Sequence, residues 1–321
     1  MTFRGPRPHD APAAHERQPP VIVRAPGKVN IHLAVGPRRP DGYHDLATVF
    51  QAVSIYDEVQ AEPADRLVVT VAGPEASLLT DGRPNIAARA ALLVAACAAR
   101  APGVRIHIRK VLPVAGGMAG GSADAAATLL ACNALWGVGL GPSELRELAA
   151  RLGSDVPFML TGGTAIGRGR GELLTPLTPH RPLHWVFAFP LRGLATPDVY
   201  AEFDRTCGII PAAPVDVAPE LCHAIERGAA GRIVELMRND LEHSALRLQP
   251  RLRQLLRAGL DLGACGAILS GTGATCAFLA SNEKAGRLLA AALDGSGLCR
   301  RACYANGPVA GPEVLPAVLT S

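Results

Sequence analysis

The sequence predicts an α+β protein of two domains. Strand and helix patterns are mixed without the strict βαβ alternation of a doubly wound sheet. The 321 residues suffice for two cores. A Pro/His-rich stretch, "LLTPLTPHRPLHW", changes the texture of the chain after residue 172. These features divide the chain into a disordered tail at 1–20, a first domain at 21–178 and a second at 179–321.

The elements follow in order. "VIVRAPGKVNIHLAV" reads as a strand, a turn at Pro26-Gly27 and a second strand with Val29, Ile31, Leu33 and Val35 on one face. "GPRRPDGYHDL" is a polar loop, and "ATVFQAVSIYDEVQAEPA" returns as strand. After the short strand "RLVVTVAG", "NIAARAALLVAACAARAPG" predicts a helix from Asn85 to Pro102-Gly103. "VRIHIRKVLPVA" alternates as a strand into a glycine loop, which opens a helix reaching Asn133, with Ser122 or Asp124 at its first turn. "GPSELRELAARLG" is a helix with Ser143 as N-cap and Gly153 as stop. Beyond the junction come the strand "WVFAFP", the helix "TPDVYAEFDRTCG", the helical "ALRLQPRLRQLLRAGLDLGA", the strand-turn-strand "GAILSGTGATCAFLA" and a final helix, "NEKAGRLLAAALDGSG".

Composition excludes several classes. With 49% hydrophobic and 19% charged residues the chain is a folded one. Its longest apolar run, Ala90 to Ala99, is too short to span a bilayer, and the first 20 residues lack the apolar centre of a secretory signal. A cytoplasmic enzyme without membrane or nucleic-acid partners follows, because the net charge is only +4 and the arginines are not interleaved with aromatics. The eight cysteines contain no C-x-x-C and read as reduced thiols. Arginine outnumbers lysine 29 to 3, so Lys28, Lys110 and Lys284 draw attention to positions where the two cations are not interchangeable. Lys284 reads as a solvated helix start.

Chemistry concentrates in three glycine-bearing segments, each read as a strand-to-turn transition: "APGKVN" from Ala25, "LPVAGGMAGGSADAA" from Leu112 and "SGTGAT" from Ser270. A glycine-rich turn opening a helix offers backbone N–H groups to phosphate. No lysine follows the last glycine, so the loop is not a Walker A motif, and its spacing is not that of a dinucleotide fingerprint. Asp155, in "LGSDVPF", taken alone is an exposed loop carboxylate or a cap. "DGYH" sets Tyr43 beside His44, a pair suited to stacking on and reading a nucleobase, or equally a surface loop with an aromatic anchor.

In this order and at these separations the three segments resemble the motifs of the GHMP small-molecule kinases. "DGYHDLATVFQAVSIYDEV" and "LGSDVPFMLTGGTAIGRGRGE" are similar to the branch of that superfamily whose acceptor is 4-diphosphocytidyl-2-C-methyl-D-erythritol, in the non-mevalonate isoprenoid pathway. The resemblance runs from about Val21 to Ala280. It implies an N-terminal βαβ-type nucleotide-binding domain, a C-terminal ferredoxin-like α/β-plait domain, and ATP-dependent phosphorylation of the acceptor's 2-hydroxyl, with Mg2+ accompanying the nucleotide. It implies Asp155 as catalytic base and Lys28 as its electrostatic partner. The nucleotide site would comprise Asn85, Lys110 and the loop residues Pro113, Val114, Ala115, Gly116, Gly117, Met118, Ala119, Gly120, Gly121, Ser122 and Ala123. Asn85 serves equally as a plain N-cap. The acceptor site would comprise Asn30, Tyr43, His44 and, from "TPDVY", Tyr200. "SGTGAT" would support the phosphate loop. The protein would be a monomer or homodimer acting on small molecules.

The sequence departs from the branch in places. "APGK" stands where "APAK" is commoner, and "VAGGMAGG" carries fewer glycines than usual. Relatives acting on homoserine or mevalonate are the nearest alternatives, though their acceptors carry no base for "DGYH" and Tyr200 to read. A non-catalytic ligand-binding relative is the other, against which stand both Lys28 and Asp155.

Overall fold

In the computed structural model, residues 18–78, 85–207 and 215–316 are described. Most of the expected tail, residues 1–17, lies outside them, and Gln18 donates from Nε2 to the carbonyl of Leu135 at 2.7 Å. The chain runs β1 (Val21–Arg38), β2 (His44–Pro63), β3 (Val68–Ala72), α1 (Ile86–Cys97), β4 (Val104–Arg109), α2 (Gly120–Trp136), α3 (Pro142–Leu152), α4 (Val156–Thr161), β5 (Thr164–Arg168) and β6 (Leu173–Leu177). It continues through β7 (Leu183–Phe189), α5 (Thr196–Cys207), α6 (Pro219–Arg227), α7 (Ala230–Leu236), β8 (Arg238–Asn239), α8 (Glu242–Leu248), α9 (Arg251–Asp261), β9 (Gly266–Leu269), β10 (Cys276–Ala280), α10 (Glu283–Asp294), β11 (Arg301–Gly307) and β12 (Glu313–Leu315).

These strands make two sheets. The first has the order β12-β1-β2-β4-β3, with β5 on β2, β6 on β5 and β8 beside β1. Its β3 and β4 are parallel and joined through α1, a βαβ unit as the sequence led one to expect. The second is antiparallel with the order β11-β7-β10-β9. Counted along that sheet the strands come fourth, first, third, second, the ferredoxin-like plait.

The expected turn at Pro26-Gly27 is absent. β1 is one 18-residue strand, and a bulge shifts its register on β2 between Pro26 and Gly27. Proline cannot donate to a ladder, and a bulge accommodates it without ending the strand. Ser143 does not cap α3 either. Pro142 takes the first helical position, the cap is Gly141, and the Glu144 carboxylate accepts from the Gly141 amide at 2.8 Å. Pro250 divides the stretch read as one helix into α8 and α9.

Alanine makes α2 the centre of the first unit. Ala123, Ala125, Ala126, Ala127 and Ala131 are fully buried, so α2 packs closely on β1, β2, α1 and α4. Trp185 of β7 reaches across from the second sheet and donates from Nε1 to Gln51 Oε1 of β2 at 2.9 Å, both side chains being buried. Removing that donor strands a buried acceptor. Trp185→Phe is therefore expected to lower stability by about 1–3 kcal/mol, read as a lower urea midpoint at unchanged m-value.

Candidate active site

A cleft of about 1200 Å³ lies where the first-sheet hairpin, the glycine loop and the second unit meet. Into it open Lys28, Asn30, Tyr43, His44, Asn85, Lys110, Asp155 and Tyr200, together with the glycine loop except Met118 and Ala123. Those two are fully buried and face the core.

The loop's backbone is polarised. Every carbonyl from residue 115 to 119 accepts a hydrogen bond from the protein. Ala115 accepts from Leu194 N (3.3 Å), Gly116 from Thr275 N (3.3 Å), Gly117 from Ser270 Oγ (3.0 Å), Met118 from Lys28 N (3.2 Å) and Ala119 from Ala123 N (2.9 Å). The amides of 115–122 find no acceptor among the described residues. Ala115, Gly117 and Ala119 reach this arrangement at φ +51°, +75° and +57°. Only glycine fits at 117, because a β-carbon there would collide with the Ser270 carbonyl. Thus "SGTGAT" braces the loop, and the loop presents donors at the start of α2, where the helix dipole is positive.

The bulge in β1 is followed at once by Lys28. Its ammonium is 4% exposed, donates to Asn30 Oδ1 at 2.5 Å and lies 3.9 Å from Asp155 Oδ2 and 5.5 Å from the Phe50 ring centre. Asn30 Nδ2 donates to Thr48 Oγ1 (2.7 Å), and Thr48 donates to the His32 carbonyl (2.6 Å), so Asn30 has only one orientation. Burial lowers the Lys28 pKa, opposed by the charge of Asp155. Asp155 occupies the N-cap position of α4 but makes no cap hydrogen bond, leaving its carboxylate, a third exposed, turned to the cleft.

Lys110 is differently placed. Its ammonium sits 2.6 Å from both Asp57 Oδ2 and Asp124 Oδ2, and Asp57 Oδ1 accepts from the amides of Val111 (2.6 Å) and Leu112 (2.8 Å). Burial opposes the charge on Lys110, yet the two carboxylates outweigh it and raise its pKa. Asp124 is pushed up to about 8 by burial against the pull of Lys110, with repulsion from Asp57 adding to the rise. The triad is thus a buried brace between the end of β4 and the first turn of α2. Asn85 fulfils its N-cap alternative, accepting from Ala87 N at 2.9 Å, while also lining the cleft.

At the aromatic end His44 is buried. Its Nδ1 donates to the Gly36 carbonyl (2.8 Å), its Nε2 lies 3.2 Å from Asp204, and its ring stacks on Tyr200 at 5.1 Å. Tyr43 is half exposed, with the Arg170 guanidinium 5.0 Å from its ring centre. Sequence reasoning missed Asp57, Thr48, Arg170 and Asp204. Asp57 had a signal, since alternation puts it on the buried face between Val53, Ile55, Val59 and Ala61, where a charge needs a partner.

The "GHMP kinases N terminal domain" family model matches residues 85–163, and "GHMP kinases C terminal" matches 221–297. The 4-diphosphocytidyl-2-C-methyl-D-erythritol kinase of Streptomyces coelicolor is 52% identical over 297 residues, covering 92% of this chain and 99% of its own. The chain belongs to the 4-diphosphocytidyl-2-C-methyl-D-erythritol kinase family of GHMP kinases. The family member of Rhodococcus jostii is 49% identical over 92% of this chain and 95% of its own. A crystal structure of 4-(cytidine 5'-diphospho)-2C-methyl-D-erythritol kinase matches with a TM-score of 0.72 at 37% identity, covering 89% of this chain and 98% of that one.

The brace in this family member is testable. Lys110→Met leaves the buried Asp57 carboxylate and the Asp124 carboxyl group without their cation and is expected to cost about 3–5 kcal/mol in chemical denaturation. Asp124 separately sets a pH dependence. The folded chain keeps its proton up to about 8, whereas the unfolded chain loses it near ~3.9. Asp124 therefore makes stability fall as pH rises through that window. Asp124→Asn should flatten that decline in melts taken from pH 5 to 8.

Proposed function

We propose that the chain transfers the terminal phosphoryl group of ATP to the 2-hydroxyl of 4-diphosphocytidyl-2-C-methyl-D-erythritol. The observation that carries this reading is the run of free amides at 115–122 opening into the same cleft as the Lys28–Asp155 pair. Phosphoryl transfer is largely positioning and charge stabilisation. The amides, with the Ser122 hydroxyl, cradle the triphosphate. Asp155 accepts the hydroxyl proton as the acceptor oxygen attacks the terminal phosphorus and ADP leaves. Lys28 holds the Asp155 carboxylate ionised and stabilises the developing alkoxide, and Asn30 orients Lys28 and the acceptor.

Mg2+ comes with the nucleotide, where it offsets phosphate charge. Ser122 and the loop amides fit such a complex. No group of three or more acidic, His or Cys side chains among the described residues makes a separate metal cage. Lys110 and Asn85 serve the nucleotide from behind, by fixing the loop and the start of α1. Tyr43, His44 and Tyr200 take the cytosine. The units divide at 178/179. The enzyme works in the cytoplasm on small molecules, as monomer or homodimer, without nucleic acid or membrane. No helix among the described residues is long and apolar enough to cross a membrane.

ADP release measured with this acceptor, homoserine, mevalonate and no acceptor tests the reading, and turnover only with the cytidine compound is expected. Asp155→Asn and Lys28→Ala should each fold normally and lose about 10²–10⁴-fold in kcat; full activity removes the residue from the mechanism. Tyr200→Ala should raise KM for the acceptor far more than for ATP, and equal effects would refute stacking.

A further inference from the structure

Four cations line the cleft among the described residues: Lys28, Arg38, Lys110 and Arg170. Each has a carboxylate beside it. Lys28 faces Asn30 and Asp155, Lys110 lies between Asp57 and Asp124, and Arg38 is 3.9 Å from Asp204. Arg170 differs in that only its inner nitrogen is paired, with Glu172. Its side chain makes no hydrogen bond among the described residues. Glu172 Oε2 accepts the amide of Arg170 at 2.6 Å, and Glu172 Oε1 stays 3.5 Å from the inner Nε. Glu172 therefore fixes the turn, and the outer nitrogens of the fork remain available.

The turn's position supplies the rest. A β-carbon on Gly171 would lie 4.0 Å from Asp155 Oδ1, whereas the guanidinium of the preceding residue stacks on Tyr43. One residue apart, the turn touches both the reactive and the aromatic ends of the cleft. The acceptor proposed above has the same layout, with a base, a diphosphate and a polyol in sequence.

We propose that Arg170 binds the acceptor's diphosphate. A planar fork pairs with phosphate oxygens bidentately, and the Tyr43 ring, its centre 5.0 Å from the guanidinium, supports it while it does so. The loop amides cannot take this part, because the nucleotide occupies them. Arg170 is thus a specificity residue, selecting a cytidine diphosphate compound over a neutral nucleoside. The inference rests on the acceptor reading above.

The test is calorimetric binding of CDP and of cytidine to the wild type, R170Q and R170K, each saturated with a non-hydrolysable ATP analogue. The wild type should bind CDP about 10- to 100-fold more tightly than cytidine. R170Q should bind the two alike, with cytidine affinity kept, and R170K should fall between. In turnover R170Q should raise the acceptor KM by a similar factor and leave the KM for ATP unchanged. If the wild type turns over the acceptor and R170Q keeps the wild-type preference for CDP, the assignment of Arg170 is overturned alone. If the wild type binds neither compound and turns nothing over, the acceptor reading falls with it.

Discussion

The glycine loop works because its acceptors are used and its donors are not. Five consecutive carbonyls, 115 to 119, are bound by the protein, and the amides of 115–122 are left for something else. Neither unit achieves this by itself. Lys28 N comes from β1, Ala123 N from α2, and Leu194 N, Ser270 Oγ and Thr275 N come from the chain beyond β7. A buried polar backbone group left unpaired is costly, so the loop's shape is set by where both units put their donors. The absence of a Walker lysine follows from the same construction, because the lysine that faces the cleft is brought in by the strand whose own amide holds Met118.

The rare lysines mark two uses of one charge. Lys110 is locked between two carboxylates and serves as architecture. Lys28 has a single carboxylate, at 3.9 Å, and a pKa lowered by burial, the state of a group able to respond to a change of charge beside it. Both ammonium groups are packed against glycine. A β-carbon would stand 2.9 Å from Lys110 Nζ at Gly120 and 3.1 Å from Lys28 Nζ at Gly271. An ammonium fits such a space where a planar guanidinium, larger and with a fixed fork, does not. That explains why an arginine-rich chain keeps lysine here.

Most elements were legible because they are local. The alternation of "VRIHIR", the Asn85 cap and the Gly153 stop depend on neighbours a few positions away, and the structure has them. What escaped depends on distant partners. Pro26 looked like a turn because a lone sequence does not reveal that β2 will stay paired on either side of it through a bulge. Arg170 looked like one arginine of a glycine-rich turn until Tyr43, 127 positions earlier by sequence number, was found beneath it. His44 and Tyr200 were both legible as cleft residues through a family resemblance, but that they stack on each other is a fact of packing between β2 and α5.

The first sheet also has a history in time. Its β1 edge is completed by β12, through Ile22 to Leu315, Val23 to Val314 and Arg24 to Glu313, with an ion pair of 2.8 Å between residues 289 positions apart. On the ribosome those partners emerge roughly 15–60 s apart, at about 5–20 residues per second. For that interval the β1 edge stands open with a row of unpaired backbone groups. A nascent chain thus carries a strand edge that is covered only once residues 313–315 have been made.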